Sequence, residues 1–283
     1  MPSDTPRALG PQGPPHITLR CRVWLLVLLA GLVAQPVAAQ APSELITRYA
    51  LAGAPLNVAV ESPQRIWATL PASGELALLT LAPDGSQQVI TYYPLGEGSE
   101  PYDIAVADGI VWFTDRAGGR LGRLDPAETS PTPTWYSPGW EGVLPTSLAV
   151  VPGTTSTTVW FTDGSTGRLG RLEVDASTLD GDFTPYALRS EGARFQDLAL
   201  HLPDEVWITD PGSRAIRLFV PSQRAFRVAQ WTGAGSVPWS VAVVSGKAWF
   251  TDRGTGRIGG FNPNTMQDIY WISLPDPSCE PVD

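Results

Sequence analysis

The stretch PYDIAVADGIVWFTDRAGGRLGRLDP, residues 101–126, decides the fold because the chain repeats it. Around Trp67, Trp112, Trp160, Trp207 and Trp249 the sequence reads RIWATL, IVWFTD, TVWFTD, EVWITD and KAWFTD. Successive tryptophans stand 45, 48, 47 and 42 residues apart. A period of roughly 40–50 residues built from short strands marks stacked supersecondary units, most often propeller blades. Function then has to be sought where the copies differ.

Within the quoted copy, Asp103 to Val106 is short and apolar, and Ala107-Asp108-Gly109 after it is a hairpin signal. Ile110 to Thr114, rich in β-branched and aromatic residues, predicts a second strand. Residues 115–119 turn the chain, and Arg120 to Leu124 alternates as a third strand; Val89 to Tyr93 shows the fourth in the preceding copy. Pro55, Pro145 and Pro238 open first strands as Pro101 does, with Phe195 in that place in the fourth copy. No stretch holds a helical period between the Pro and Gly residues. The expectation is an all-β protein, a β-propeller of five blades with four antiparallel strands each. Trp67, Trp112, Trp160, Trp207 and Trp249 are expected between neighbouring blades. Ile46 to Leu51 (ITRYAL) and Asp268 to Leu274 (DIYWISL) both read as fourth strands. One terminus is therefore expected to complete or overlay the closing blade and remove its exposed edges.

Residues 1–39 read as a signal peptide and residues 40–283 as a single propeller domain. Arg20 and Arg22 precede an apolar run from Val23 to Ala34, then Pro36 and the small-residue site Val37-Ala38-Ala39. The run is too short to span a bilayer and fits a signal-peptide core, with retention as an anchor the other outcome. The expected location is extracellular or periplasmic, with no membrane association after cleavage. The remaining chain carries 16 basic and 27 acidic residues. That balance argues against nucleic acid or an anionic membrane surface as partner. Cys279 is its one cysteine, so it can form no internal disulfide.

The unit P-x-x-I-A-V, then V-W-F-T-D, then G-R-L-G-R-L-D-P resembles the repeat of the virginiamycin B (streptogramin B) lyase family, in every copy from about residue 46 to 275. The resemblance implies a propeller, seven-bladed in the family, that linearises a cyclic depsipeptide by metal-assisted elimination at its ester. It implies a Glu-Pro-His stretch opening one blade and a Glu after the next strand, with the His as general base and both Glu residues on Mg²⁺. In this chain Glu100, before Pro101, matches the first metal ligand, and Asp115 stands where the second belongs. Tyr102 occupies the position of the catalytic His, and a phenol is a poor base at neutral pH unless strongly perturbed. Leu56, Thr146, Gln196 and Trp239 hold that position in the other copies, and His201 lies in a turn away from it.

The start of a first strand and the end of the next share one edge of a blade, so Glu100 and Asp115 are expected as neighbours near the central channel. Two hard carboxylates could contribute to a Mg²⁺ or Ca²⁺ site with added ligands or water. Equally, Asp115, Asp163, Asp210 and Asp252 could all cap Gly-rich turns by accepting backbone N–H bonds. The third-strand arginines, Arg120 and Arg123, Arg168 and Arg171, Arg214 and Arg217, then Arg257, read as a structural ladder paired with acidic residues. Trp140, Trp231, Trp239 and Tyr102 fall in or beside loops on the Glu100 face. Together they could stack a small molecule, a glycan or a protein segment, or individually shield blade edges. No G-x-S-x-G elbow, phosphate-cradling Gly-Lys motif or H-E-x-x-H is present. The expectation is an exported binding propeller without the lyase's base. The alternative is a diverged metal-dependent lyase acting through Glu100, Asp115 and Tyr102.

Overall fold

The computed structural model describes residues 48–281, apart from 85–87, 189, 191, 202, 246, 263–268 and 276–279. The expected signal segment and Cys279 lie outside the described residues. Five four-stranded antiparallel sheets follow one another, each built from consecutive strands. The first blade is β1 (Val58–Ser62), β2 (Arg65–Leu70), β3 (Glu75–Leu81) and β4 (Gln88–Pro94). The second is β5 (Pro101–Ala107), β6 (Ile110–Asp115), β7 (Arg120–Leu124) and β8 (Thr134–Tyr136). The third is β9 (Pro145–Val151), β10 (Ser156–Asp163), β11 (Arg168–Asp175) and β12 (Gly181–Ala187). The fourth is β13 (Leu198–His201), β14 (Glu205–Asp210), β15 (Ala215–Val220) and β16 (Ala225–Trp231). The fifth is β17 (Pro238–Val244), β18 (Lys247–Asp252), β19 (Arg257–Phe261) and β20 (Tyr270–Ser273). A 3₁₀ turn at Pro221–Gln223 is the one helical element among the described residues.

The five-bladed, all-β expectation holds, with two corrections. Pro101, Pro145 and Pro238 open their first strands, Pro101 pairing with Asp115 across an irregularity that ends at Ile104, whereas Pro55 and Phe195 precede theirs, which begin at Val58 and Leu198. The described part of ITRYAL, residues 48–51, forms no strand. The first blade already owns four strands, and just past this segment the Ala52 N–H donates to the Tyr92 hydroxyl at 2.9 Å. DIYWISL does supply β20, but for its own blade, so no described strand is borrowed from a terminus.

Four of the five second-strand tryptophans look toward the next blade. Trp67 packs with Ile104, Val111 and Phe113; Trp112 with Leu148, Val159 and Phe161. Trp160 packs with Leu198, Val206 and Ile208, and Trp207 with Val241, Ala248 and Phe250. Burial of whole indole rings between sheets holds neighbours together without covalent ties. The inner strands pack in series, β1 on β5, β5 on β9, β9 on β13 and β13 on β17, and no comparable packing joins the fifth blade to the first among the described residues. Trp249 accordingly stays half-buried, edge-on to Tyr270 at 5.3 Å.

The glycine of G-R-L-G-R-L is demanded by the phenylalanine of W-F-T-D. A Cβ on Gly122, Gly170 or Gly259 would sit 2.1–2.2 Å from the ring of Phe113, Phe161 or Phe250, its cross-strand partner. The fourth blade solves the same space differently. Ile208 replaces the phenylalanine, and Arg217, not glycine, stands opposite it. The turn before β15 has the same four residues as the turn before β7, 211–214 against 116–119, so Arg214 falls on its last position at φ 52°, where the second blade has Gly119 at φ 58°. Arg214 is therefore not a third-strand ladder residue. The remaining ladder is present as pairs: Arg120 with Asp115, Arg168 with Asp163, Arg217 with Asp210 and Arg257 with Asp252, alongside Arg123 with Asp125 and Arg171 with Glu173.

Candidate functional site

First-strand starts and second-strand ends meet at one edge of three blades: Pro101 with Asp115, Pro145 with Asp163 and Pro238 with Asp252. These three aspartates and Asp210, which ends β14, are fully buried. Oδ1 of Asp115 accepts the N–H of Glu100 at 2.8 Å and of Gly118 at 3.2 Å, and Oδ2 accepts Arg120 Nε at 2.8 Å. Asp163 accepts Leu144 N–H and Ser165 N–H, and Asp210 accepts Arg194 N–H and Ser213 N–H. Asp252 accepts Val237 N–H and Gly254 N–H. Each carboxylate thus clamps its own turn to the segment that enters its blade. Glu100 meets Asp115 through its backbone amide. Among the described residues no group of three or more His, Cys, Asp or Glu side chains is placed to hold a metal ion.

The side chains that follow these fixed points stand at the same edge of their blades, the edge at which a propeller's central channel opens. Tyr102 is half-buried, its ring 4.4 Å from the Arg116 guanidinium and its hydroxyl 3.5 Å from Gln196 Nε2 of the fourth blade. Its carbonyl accepts Asn57 Nδ2 at 2.8 Å and Thr69 Oγ1 at 3.2 Å, which fixes the backbone beneath the ring. The fifth blade repeats the arrangement: the Arg253 guanidinium lies 4.4 Å from the ring of Trp239, at the position of Tyr102. Thr209 Oγ1 donates to the Trp239 carbonyl at 2.8 Å, tying it to the fourth blade. Trp140 goes elsewhere. It stacks on Phe161 at 5.6 Å, meets Phe183 edge-on at 6.0 Å, and carries Arg168 at 4.9 Å. It covers Phe161 where the second blade uses Trp135 over Phe113, because β12 offers only Pro185 opposite Gly170. Trp231 ends β16 opposite Ala215, and its side chain lies outside the described residues.

One step along the first strands the channel wall turns polar: Asn57, Asp103, Ser147, Asp197 and Ser240. Asp103 Oδ1 accepts the Ile104 N–H, and Oδ2 accepts the Leu148 N–H of the third blade at 2.8 Å. Ser147 donates to Asp197 Oδ1 at 2.6 Å, and Asp197 Oδ2 accepts Ser240 Oγ and Val241 N–H from the fifth blade. These carboxylates therefore stitch blades two to five. Burial, reinforced by the charge of Asp197, pushes the Asp103 carboxyl up to about 7. His201 is far from this edge, with Nδ1 2.8 Å from Glu205 in the hairpin at the other end of β13.

A family model for the virginiamycin B lyase family matches residues 23–283. The chain belongs to the virginiamycin B lyase family. No curated protein matches it. A catalytically inactive virginiamycin B lyase from Staphylococcus aureus, solved with quinupristin, superposes with a TM-score of 0.68 at 21% identity, over 81% of this chain and 72% of that one. A streptogramin B lyase structure gives 0.60 at 18% identity, over 81% and 85%. A nidogen/laminin complex gives 0.58 at 12%, over 79% and 81%. These likenesses speak to the fold. Relative to the motif of the virginiamycin B lyase family, the new elements are Arg116 and Arg253 and the Asp103–Asp197 wall. The sequence signal for the first is the residue after each buried aspartate, which reads Arg, Gly, Pro and Arg; for the second it is a polar position inside otherwise apolar first strands.

Proposed function

We propose that this member of the virginiamycin B lyase family is an exported binding propeller that holds a small molecule or partner segment at the channel mouth without lyase turnover. One observation carries the reading. The place that the family resemblance gives to the general base holds Tyr102, with the Arg116 guanidinium on its ring and the Gln196 amide at its hydroxyl. Asp115 supports it, since both its oxygens already accept N–H donors of the fold. An aromatic floor with polar groups converging on it is the usual composition of a small-molecule site.

A second reading, a diverged metal-dependent lyase cleaving the C–O bond of a cyclic ester through Glu100, Asp115 and Tyr102, is favoured by one feature. Asp103, next to Tyr102 in the chain, has its carboxyl near 7, the range in which a general base works at neutral pH. Incubation of the chain with quinupristin and Mg²⁺, followed by chromatography, separates the two. The cyclic compound is expected to persist. A linear product that disappears in a Glu100→Ala, Asp115→Ala double variant would overturn the binding reading, and calorimetric titration of both proteins with Mg²⁺ and Ca²⁺ would then show saturable binding only in the unaltered chain.

A further inference from the structure

We propose that the channel mouth takes a ligand bearing a carboxylate beside an apolar ring, and that the chain's own Glu280 occupies part of that site. The inference rests on the binding reading above and names the chemistry of the ligand. Two blades carry a guanidinium over an aromatic ring at the same place in the repeat: Arg116 over Tyr102 and Arg253 over Trp239, both at 4.4 Å. The backbone of both arginines is held alike, with the Arg116 N–H on the Glu100 carbonyl and the Arg253 N–H on the Val237 carbonyl, each at 3.0 Å. Stacking fixes the plane of a guanidinium and leaves its edge donors in a fork that matches a carboxylate.

The two arginines differ in what meets that fork. Arg116 makes no ion pair among the described residues, and its Nε is buried without a hydrogen-bond partner. The third-strand arginines near the same edge all have an aspartate, so Arg116 stands apart. At Arg253 the partner is supplied by the chain itself. Glu280, beyond β20, places Oε2 2.6 Å from the Arg253 guanidinium. The next residue, Pro281, is buried. The chain thus already sets a carboxylate against the Arg253 guanidinium, with an apolar ring next to it in sequence. The Glu280 side chain is 58% exposed, and an exposed pair of this kind adds little and exchanges readily. The tail is a displaceable internal competitor.

Titration of the full chain with N-acetyl-glutamyl-prolinamide, read by calorimetry and by tryptophan fluorescence, tests this. Glu280→Gln is expected to bind the probe about 3-fold tighter than the unaltered chain, because the internal carboxylate is gone. In that background Arg116→Met and Arg253→Met are each expected to weaken binding at least about 10-fold, with unchanged circular dichroism. N-acetyl-glutaminyl-prolinamide should not compete. Equal affinity for the acidic and neutral probes, no gain from Glu280→Gln, or no binding in any of these proteins overturns the carboxylate assignment. The binding reading itself falls separately, by linearisation of quinupristin.

Discussion

Asp115 and Arg116 are neighbours in the chain and opposites in what holds them. The aspartate recurs at the end of the second strand in blades two to five, and every copy is fully buried with backbone donors on its oxygens. The arginine recurs only in the fifth blade, is half-buried, and lies on an aromatic ring at the channel mouth. A residue repeated in one environment is explained by the fold it serves. A residue that changes from blade to blade, on a turn held by the same aspartate clamp, is free to serve a ligand. The contrast also separates Asp115, which stands at a carboxylate position of the family motif, from the side chains proposed to bind.

The sharpest way to break the comparison is to remove a repeated carboxylate. Asp210 is paired with Arg217, whose side chain is only 5% exposed, so Asp210→Ala strands a buried guanidinium and two backbone donors. Denaturant titration should show a loss of about 3–5 kcal/mol. A loss under about 1 kcal/mol would mean that these aspartates are not clamps, and would reopen Asp115 as a metal ligand.

The channel wall gives the next largest effect. The Asp103 carboxyl rises from 3.8 to about 7 in the folded chain, through burial and then the charge of Asp197. A folded-state pKa above the unfolded one means that the native protein binds the extra proton. The stability tied to it is complete below about pH 4 and is lost as pH climbs through about 7. Melting between those values should show stability falling by a few kcal/mol, at up to about 1.4 kcal/mol for each pH unit climbed. Asp103→Asn should flatten that slope. An equally steep slope in the variant would assign the titration to another group.

How far the sequence can be read follows the same division. Trp67, Trp112, Trp160 and Trp207 are legible as inter-blade core because a large apolar residue in a strand repeat has few other places to go. The Asp turn caps are legible as one of two readings, and the hydrogen bonds favour the cap. Registers in the fourth blade are not legible. Its turn is as long as the others but its two arginines stand one position earlier in the repeat, so Arg217 falls opposite Ile208 while Arg214 adopts the left-handed turn conformation. Trp140 reads as rim because it sits in a loop, yet the small Pro185 leaves room over Phe161 that only a ring from that loop fills. Arg116 and Arg253 escape a reading by motif because their meaning lies in which ring they cover, a relation across strands that spacing along one strand does not carry.

A smaller effect probes the glycine that the repeat imposes. Gly122→Ala drives a methyl into the Phe113 ring, 2.1 Å from the position its Cβ would take. Overpacking of this kind costs about 1–3 kcal/mol. Combining it with Phe113→Ile imitates the partner exchange that the fourth blade makes at Ile208 and should return part of the loss, a coupling that a double-mutant cycle measures directly. Strict additivity would mean that Gly122 is required for its backbone and not for the space it leaves.

The smallest effect on stability belongs to the other member of the opening pair. Arg116 forms no ion pair among the described residues, and its contact with Tyr102 is a cation on a ring at the surface of the mouth. Arg116→Gln should shift the unfolding free energy by no more than about 0.5 kcal/mol, the usual range for substitutions away from structural features. Asp115→Asn, one residue earlier, should cost several times that, since the amide cannot accept from both the Glu100 N–H and Arg120. If the two variants destabilise equally, then Arg116 is part of the frame, and the division between a repeated scaffold and a variable mouth fails where it was drawn most sharply.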